Sequence, residues 1–442
     1  MRIERPVILN HIVSPYGIAG LSTFFFLLAW TFPPSLYAEL VYEPDLMFLD
    51  PGTLLFFLFC VAGFWVGLLL IDFLFPASPL LQSQQQSIRL KGFALLLPLM
   101  VTTVMTAFAG MQMLKEAPNL LVLLFAQQGA TVKSEFSDFK LGVLGWGVAM
   151  HMAVLWWTYW KLSNSRLSSS KRPRDRRIFS WLIFALGIVA QLGISFLRVS
   201  RSDLMPAIGG LAVLYLMGKI LRGEIKTTGL VWYVLLFPLG VISVFVAFGL
   251  IRGAGDLTTG LGSFIEYTFA SYNRLTALLH GRMHYPYGGR GIYIFSFLIE
   301  NNFLRSLIPT DFGWPDYFNL WNSEFQAPQL AGLNSYLIWS GAFGYLFSEL
   351  GWGTPLILFI YGVAYGVVWR QAKSGTALGL TLYPWFAFSA LSWFASNLAF
   401  SSHFPFFFVA GLILMGYEKL CRWFSLSVIQ TKYASFSFSG SQ

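Results

Sequence analysis

Long apolar runs separated by short polar turns set the pattern of this chain. Stretches at 17–31, 52–74, 92–113, 141–160, 178–197, 204–217, 230–251, 354–369, 377–394 and 404–417 are dominated by Leu, Phe, Val, Ile and Trp. Most approach the roughly twenty residues that a helix needs to cross an apolar layer about 30 Å thick. The pattern therefore predicts ten membrane-spanning helices, and no ten-residue alternating segments of the kind that build a transmembrane barrel interrupt it. A further run at 120–125 is apolar but too short to span, and reads as an interfacial segment. One long stretch, 252–353, need not enter the membrane. The predicted organisation is helices one to seven over 1–251, a polar cap over 252–353, and three more helices with a tail over 354–442.

Composition strengthens this reading. Hydrophobic residues make up 56% of the chain and charged residues 11%, with a mean hydropathy of +0.62. A soluble protein carries about a quarter charged residues. The net charge of +9 raises the question of nucleic acid, and its distribution answers against it. Loops on one predicted side hold 19 Lys and Arg against 5 Asp and Glu, while the other side holds 10 against 15. That asymmetry is the positive-inside signal of a multi-pass inner-membrane protein. It places both termini in the cytoplasm and the cap in the periplasm. The most basic loop, with Lys161, Arg166, Lys171, Arg172, Arg174, Arg176 and Arg177, falls on the cytoplasmic side without a nucleic-acid-binding signature. Cys60 and Cys421 form no disulfide or metal framework. The first apolar stretch lacks a cleavage site and reads as a retained helix.

Candidate chemistry gathers on the predicted outer side. Arg198, Arg201 and Asp203 sit in a tight turn between two apolar runs. They read either as an Arg–Asp pair closing a helical hairpin or as guanidinium groups facing an anionic headgroup, since ionisable groups near membrane depth tend to mark a site. Arginine forks suit diphosphate oxygens. Arg252 ends the seventh predicted helix, as a snorkelling residue or as part of the same anion site. Arg274 lies in a helical stretch at about 264–279. The run from His280 to Gly291 contains Arg282, His284, Tyr285, Tyr287 and Arg290 among turn-forming Gly and Pro, with rings and donors suited to sugars. His280 and His284 stand at i and i+4 but lack the glutamate of a zinc helix. Glu43 and Asp45 form an acidic pair of the kind that holds a metal in some polyprenyl-phosphate glycosyltransferases, or are simply part of an acidic loop.

Several of these blocks, taken in order, resemble the O-antigen polymerase and ligase superfamily. They are Ser200-Arg201-Ser202 at a helix start, Asn273-Arg274-Leu275, Tyr285-Pro286-Tyr287-Gly288-Gly289, Asn334-Ser335-Tyr336-Leu337, and Ser348-Glu349-Leu350-Gly351-Trp352-Gly353. The spacing from Arg198 to Gly209 matches an arginine–ten residues–glycine motif of Wzy-type polymerases. The matching blocks cover about the second half of the chain. The resemblance implies an all-α, GT-C-like membrane enzyme that moves a growing glycan from undecaprenyl diphosphate onto another lipid-linked repeat unit at the periplasmic face. It implies no metal, no cofactor and no nucleotide sugar. Its partners would be undecaprenyl-diphosphate-linked oligosaccharides, the lipid bilayer, and a flippase and chain-length regulator of the same pathway.

By that resemblance Arg201 and Arg274 hold the diphosphate, with Arg198 and Arg252 beside them. Arg282, Tyr285, Tyr287, Arg290, Arg305, Asn334 and Tyr336 are the expected glycan-binding residues. Ligases carry a histidine just before the Asn-x-Tyr-Leu block, where this chain has Leu333, which favours a polymerase. The general base stays open among His280, His284, Asp311 and Glu349. The competing readings are a lipid-linked glycan transporter or flippase, a ligase-type transferase, and a metal-dependent glycosyltransferase built on Glu43 and Asp45.

Overall fold

The computed structural model describes residues 12–75, 93–126, 141–164, 174–198, 200–224, 240, 243, 246–247, 257–300, 302–309 and 313–438. Among them every regular element is helical. In chain order these are α1 (Pro15–Trp30), α2 (Pro34–Val41), α3 (Pro51–Leu74), α4 (Phe93–Glu116), α5 (Leu120–Phe125), α6 (Val143–Asn164), α7 (Arg174–Leu197), α8 (Arg201–Arg222) and α9 (Leu257–Leu279). Then follow α10 (Phe297–Glu300), α11 (Asn302–Arg305), α12 (Tyr317–Leu330), α13 (Gly341–Leu350), α14 (Thr354–Lys373), α15 (Ala377–Leu391) and α16 (Phe404–Phe438).

Among the described residues, six helical segments are long and apolar enough to cross a membrane: Pro51–Leu74, Phe93–Glu116, Ile178–Leu197, Asp203–Arg222, Gly341–Lys373 and Phe404–Phe424. A seventh span is made if α1 and α2 count together, although the chain bends by 97° between them, where Pro33 and Pro34 withdraw two backbone donors. The ten expected runs differ from this set for identifiable reasons. The run at 141–160 is a helix, α6, but four tryptophans, Tyr159 and His151 hold its hydropathy down. Thirteen of its 22 residues are buried, with α4, α7, α8, α15 and α16 packed around it. The run at 377–394 yields the 15-residue α15, about 22 Å of helix, and then unwinds. The run at 230–251 lies almost wholly outside the described residues.

The helices wear their apolar side chains outward. Leu58, Phe59, Val66 and Leu69 of α3, Val104 and Phe108 of α4, and Leu182, Leu186 and Val189 of α7 are all exposed. So large an apolar surface calls for an apolar surrounding. Inside, packing rests on aromatics and glycines. Trp156 and Trp157 are wholly buried, and the Trp156 ring lies so close to Gly210 that a side chain there would collide with it. His151 is satisfied within the bundle by Thr102 Oγ1 at 2.8 Å and the Gly187 carbonyl at 3.0 Å.

The tightest helix pair is α3 with α14. Gly67 of α3 meets Gly362 of α14, Gly63 lies against the Pro355 backbone and Gly366 against the Ile71 side chain, and a methyl group at Gly67 or Gly362 would run into the carbonyl of Phe359 or Phe64 across the interface. Small residues four apart let two backbones approach this closely where lipid supplies no hydrophobic drive. The segment Gly341–Lys373 runs through the 3-10 turn Gly351–Gly353 as one 33-residue apolar rod.

Polar contacts sort to the two ends of the bundle. At one end Arg370 pairs with Asp72 at 2.8 Å, Tyr16 donates to Asp72, and buried Lys161 pairs with Glu418 at 2.8 Å. At the other end the α1–α3 connection, the α7–α8 turn, the cap and the α15–α16 connection meet. Asp203 binds His403, Ser402 N–H donates to Glu300 at 2.7 Å, and Asn397 donates to the Tyr293 carbonyl at 2.9 Å.

Candidate functional site

The cap end is organised by Glu43. It lies just after α2, buried, and its carboxylate receives five donors. Oε1 accepts from the Tyr37 hydroxyl, from Asn273 Nδ2 at 3.1 Å and from Arg274 Nη1 at 3.1 Å. Oε2 accepts from Arg274 Nη2 at 3.0 Å and from the Asn334 N–H at 2.9 Å. Arg274 stands in α9, where an apolar helix packed on α1, α2, α3 and α13 buries it completely. A guanidinium at such a site needs a counter-charge and acceptors for its remaining protons. The bidentate pair with Glu43 supplies the first, and the carbonyls of Ala270 at 2.9 Å and Asn334 at 2.6 Å take the other protons of the two terminal nitrogens, leaving the buried Nε–H without a partner among the described residues. Asn273 completes the lock, donating to the Pro44 carbonyl and accepting from the Leu46 N–H at 2.6 Å.

Two expectations are corrected here. Arg274 does not face a headgroup, because both its terminal nitrogens are engaged inside the protein. Asn334 does not face a glycan: its backbone closes the Glu43–Arg274 pair, and its side chain bonds the Val41 carbonyl and the Tyr336 N–H. The Glu43–Asp45 metal reading fails on the same geometry. Glu43 is saturated, and Asp45 Oδ1 accepts the N–H groups of Met47 and Phe48. Among the described residues, no group of three or more His, Cys, Asp and Glu is placed to hold a metal.

The aromatic turn run is likewise structural. Tyr285 is buried, stacked on Tyr345 at 5.3 Å, and its hydroxyl donates to the Ile338 carbonyl. It is therefore closed to a sugar. Glu349, a candidate base, instead accepts the N–H groups of Gly291 and Tyr293, each at 2.7 Å. It pins a loop whose Gly289 and Gly291 adopt the left-handed backbone that glycine takes without strain. Arg290 donates to the Gly313 carbonyl and lies over the Tyr287 ring, and Arg305 donates to the Trp314 carbonyl. Both arginines brace the cap. His280 reaches Asp50 at 3.2 Å, while Arg282 and His284 are exposed. Arg252, Asp311 and the side chain of Arg201 fall outside the described residues.

Arg198 keeps an open face. At the end of α7 its Nη1 bonds Asp203 at 2.9 Å while the side chain stays 44% exposed. Asp203 is shared with His403 at 3.2 Å, and that imidazole stacks on Trp385. The Arg–Asp pairing expected for the hairpin is present, with a histidine that sequence reasoning did not single out.

A cleft of about 190 Å³ opens in the cap between α9, α12 and the 336–339 segment. Its walls are Tyr267, Trp321, Phe325, Tyr336 and Trp339, and its carboxylate is Glu266. Burial, with the Glu43 carboxylate in the same field, raises the Glu266 carboxyl above its ordinary range. Only Tyr336, 85% exposed, was expected to face a ligand. The sequence signal for the others was faint. Trp321 and Phe325 stand at i and i+4 in α12, and Glu266 is one acid among many in 252–353. On the core side of the cap, Glu324 is pushed up to about 8 by burial and by the Glu300 carboxylate, and its charge is felt by Tyr285, Tyr293 and Tyr345.

No family model, curated protein or solved structure matches this chain. The site therefore rests on its own geometry.

Proposed function

We propose that the chain is a lipid-linked oligosaccharide polymerase. It joins a glycan leaving undecaprenyl diphosphate to a second lipid-linked repeat unit at the periplasmic face of the bacterial inner membrane. In this reading ten spans in a GT-C-like arrangement keep both termini in the cytoplasm. The observation that carries the reading is the aromatic cleft with its single carboxylate, set in a polar cap clasped over one end of an apolar helical bundle. Aromatic faces pack the apolar side of a pyranose ring and polar groups take its hydroxyls, while the adjoining helices offer the surface a polyprenyl tail requires. Arg198, at the same end and with an open face, serves the diphosphate, with Arg201 next to it at the start of α8. A fixed cation there stabilises the charge that develops on the leaving diphosphate. Leu333, where ligases carry histidine, is buried in the cap core, which favours polymerase over ligase.

The test uses the full-length protein in lipid nanodiscs with undecaprenyl-diphosphate-linked repeat units. The expected product is a ladder of lipid-linked polymers, insensitive to EDTA. Movement of the lipid-linked unit across proteoliposomes with no change in glycan length would replace this reading with a flippase. Loss of the ladder on chelation would replace it with a metal-dependent transferase.

A further inference from the structure

The cleft has features that a passive sugar shelf does not need. Its volume of about 190 Å³ is below the roughly 300–1,000 Å³ of pockets that enclose a drug-sized ligand, so it takes one ring and not a whole repeat unit. The Tyr267 and Trp339 rings meet with centroids 5.0 Å apart at 61°, forming a corner. Trp321 and Phe325, 5.4 Å apart at 71°, form a second. Tyr336, almost fully exposed, stands at the mouth. Glu266 adds a carboxylate to these aromatic walls. It is half buried, and no hydrogen-bond donor is recorded for it among the described residues, whereas Glu43 and Glu349 nearby are fully engaged.

We infer that the cleft binds the terminal, non-reducing sugar of the acceptor glycan and that Glu266 is the catalytic base that activates its hydroxyl. This rests on the polymerase reading and names the part of the reaction which that reading leaves unassigned. In the step, the acceptor hydroxyl oxygen forms a bond to the anomeric carbon of the donor sugar. The bond from that carbon to the diphosphate oxygen breaks, and its electron pair leaves on undecaprenyl diphosphate. The hydroxyl proton passes to the Glu266 carboxylate and from there to solvent. No oxidant, metal or further co-reactant is required. Partial burial suits the role, because burial and the Glu43 carboxylate raise the Glu266 carboxyl, and a carboxylate raised in this way is a stronger base than an ordinary one. Its neighbour in charge is the Glu43 carboxylate, which raises it and is itself paired with Arg274.

The experiment compares full-length wild type, Glu266→Gln, Glu266→Asp and Trp339→Ala in nanodiscs. Polymerisation rate is read on lipid-linked repeat units, and binding of the free oligosaccharide repeat unit is read by tryptophan fluorescence. Glu266→Gln is expected to lower the rate by about 10²-fold or more, to leave the thermal midpoint within a degree or two (about 0.5 kcal/mol), and to change oligosaccharide affinity by less than about threefold. Glu266→Asp is expected to keep an intermediate rate with a displaced acid limb in its pH profile. Trp339→Ala is expected to weaken oligosaccharide binding about tenfold, as loss of one stacking face would. Wild-type rate in Glu266→Gln overturns the base and leaves the polymerase reading standing. Unchanged oligosaccharide binding in Trp339→Ala overturns the cleft as the acceptor site. Oligosaccharide binding by a wild-type protein that forms no polymer overturns the base together with the polymerase reading, while the sugar site survives.

Discussion

Two arginines that look alike in the sequence meet opposite fates. Arg198 and Arg274 each stand at or near the cap end of a helix, each close to polar residues, and each has an acidic partner. Arg274 is fully enclosed, with Glu43 and two carbonyls taking its terminal protons. Arg198 shares a single carboxylate with His403 and keeps nearly half its surface open. The comparison separates a cation that holds the protein together from one able to meet a ligand. Charge alone does not tell them apart; the supply of internal acceptors does.

The most severe way to break this contrast is to cut the enclosed pair. Glu43→Leu or Arg274→Leu leaves a buried charge without its partner and is expected to cost about 3–5 kcal/mol, read as a large fall in the thermal midpoint and rapid proteolysis of the cap. The double variant Glu43→Leu/Arg274→Met is expected to regain most of that loss, because no lone charge then remains. A cost below about 1 kcal/mol for either single variant would show the pair to be incidental.

Arg198→Ala sharpens the other half of the comparison. Asp203 is buried and would keep only His403 of its two partners, so the midpoint should fall modestly, by the equivalent of about 1–3 kcal/mol. If the proposed polymerase function holds, its polymerisation rate should fall by about 10- to 100-fold, the equivalent of one charged hydrogen bond to the diphosphate. An intact rate would return Arg198 to the role of a hairpin brace.

A third test uses pH. The Glu324 carboxyl, raised from 4.5 to about 8, binds its proton more tightly folded than unfolded. Its stabilising contribution is thus complete below about 4.5 and disappears as pH climbs through about 8. Cap stability followed by thermal unfolding should decline across that window, and Glu324→Gln should flatten the decline. An unchanged profile in the variant would place the titration elsewhere. The smallest effect belongs to His280→Gln. Its link to Asp50 is half exposed, and a change within about 1 kcal/mol is expected.

How far the sequence reveals this molecule depends on what each residue type reports. Apolar runs mark α3, α4, α7 and α8 well, because lipid-facing helices need uniform side chains. They mark α6 poorly as a span, because a helix surrounded by other helices fills its contacts with tryptophan and glycine. The Arg274 block is visible, yet its buried role depends on Glu43, more than two hundred residues away. No local pattern states that distance. A lone arginine in an otherwise apolar helical stretch is the clue that could have sent the search to the cation-free loop at 39–50 for a counter-charge. Glu266 and the cleft walls come from three separate segments and become a site only once α9 and α12 pack. The glycines at 63, 67, 362 and 366 are the opposite case. Their spacing of four is legible in the sequence itself.

Those four glycines also limit how the protein can breathe. Where Gly63, Gly67 and Gly362 bring backbone against backbone, α3 and α14 have no side-chain cushion along which to slide or part. In the proposed polymerase, a long isoprenoid chain would then approach along a flank other than the α3–α14 seam. Adding bulk at Gly67 would unfold the molecule before it widened a doorway.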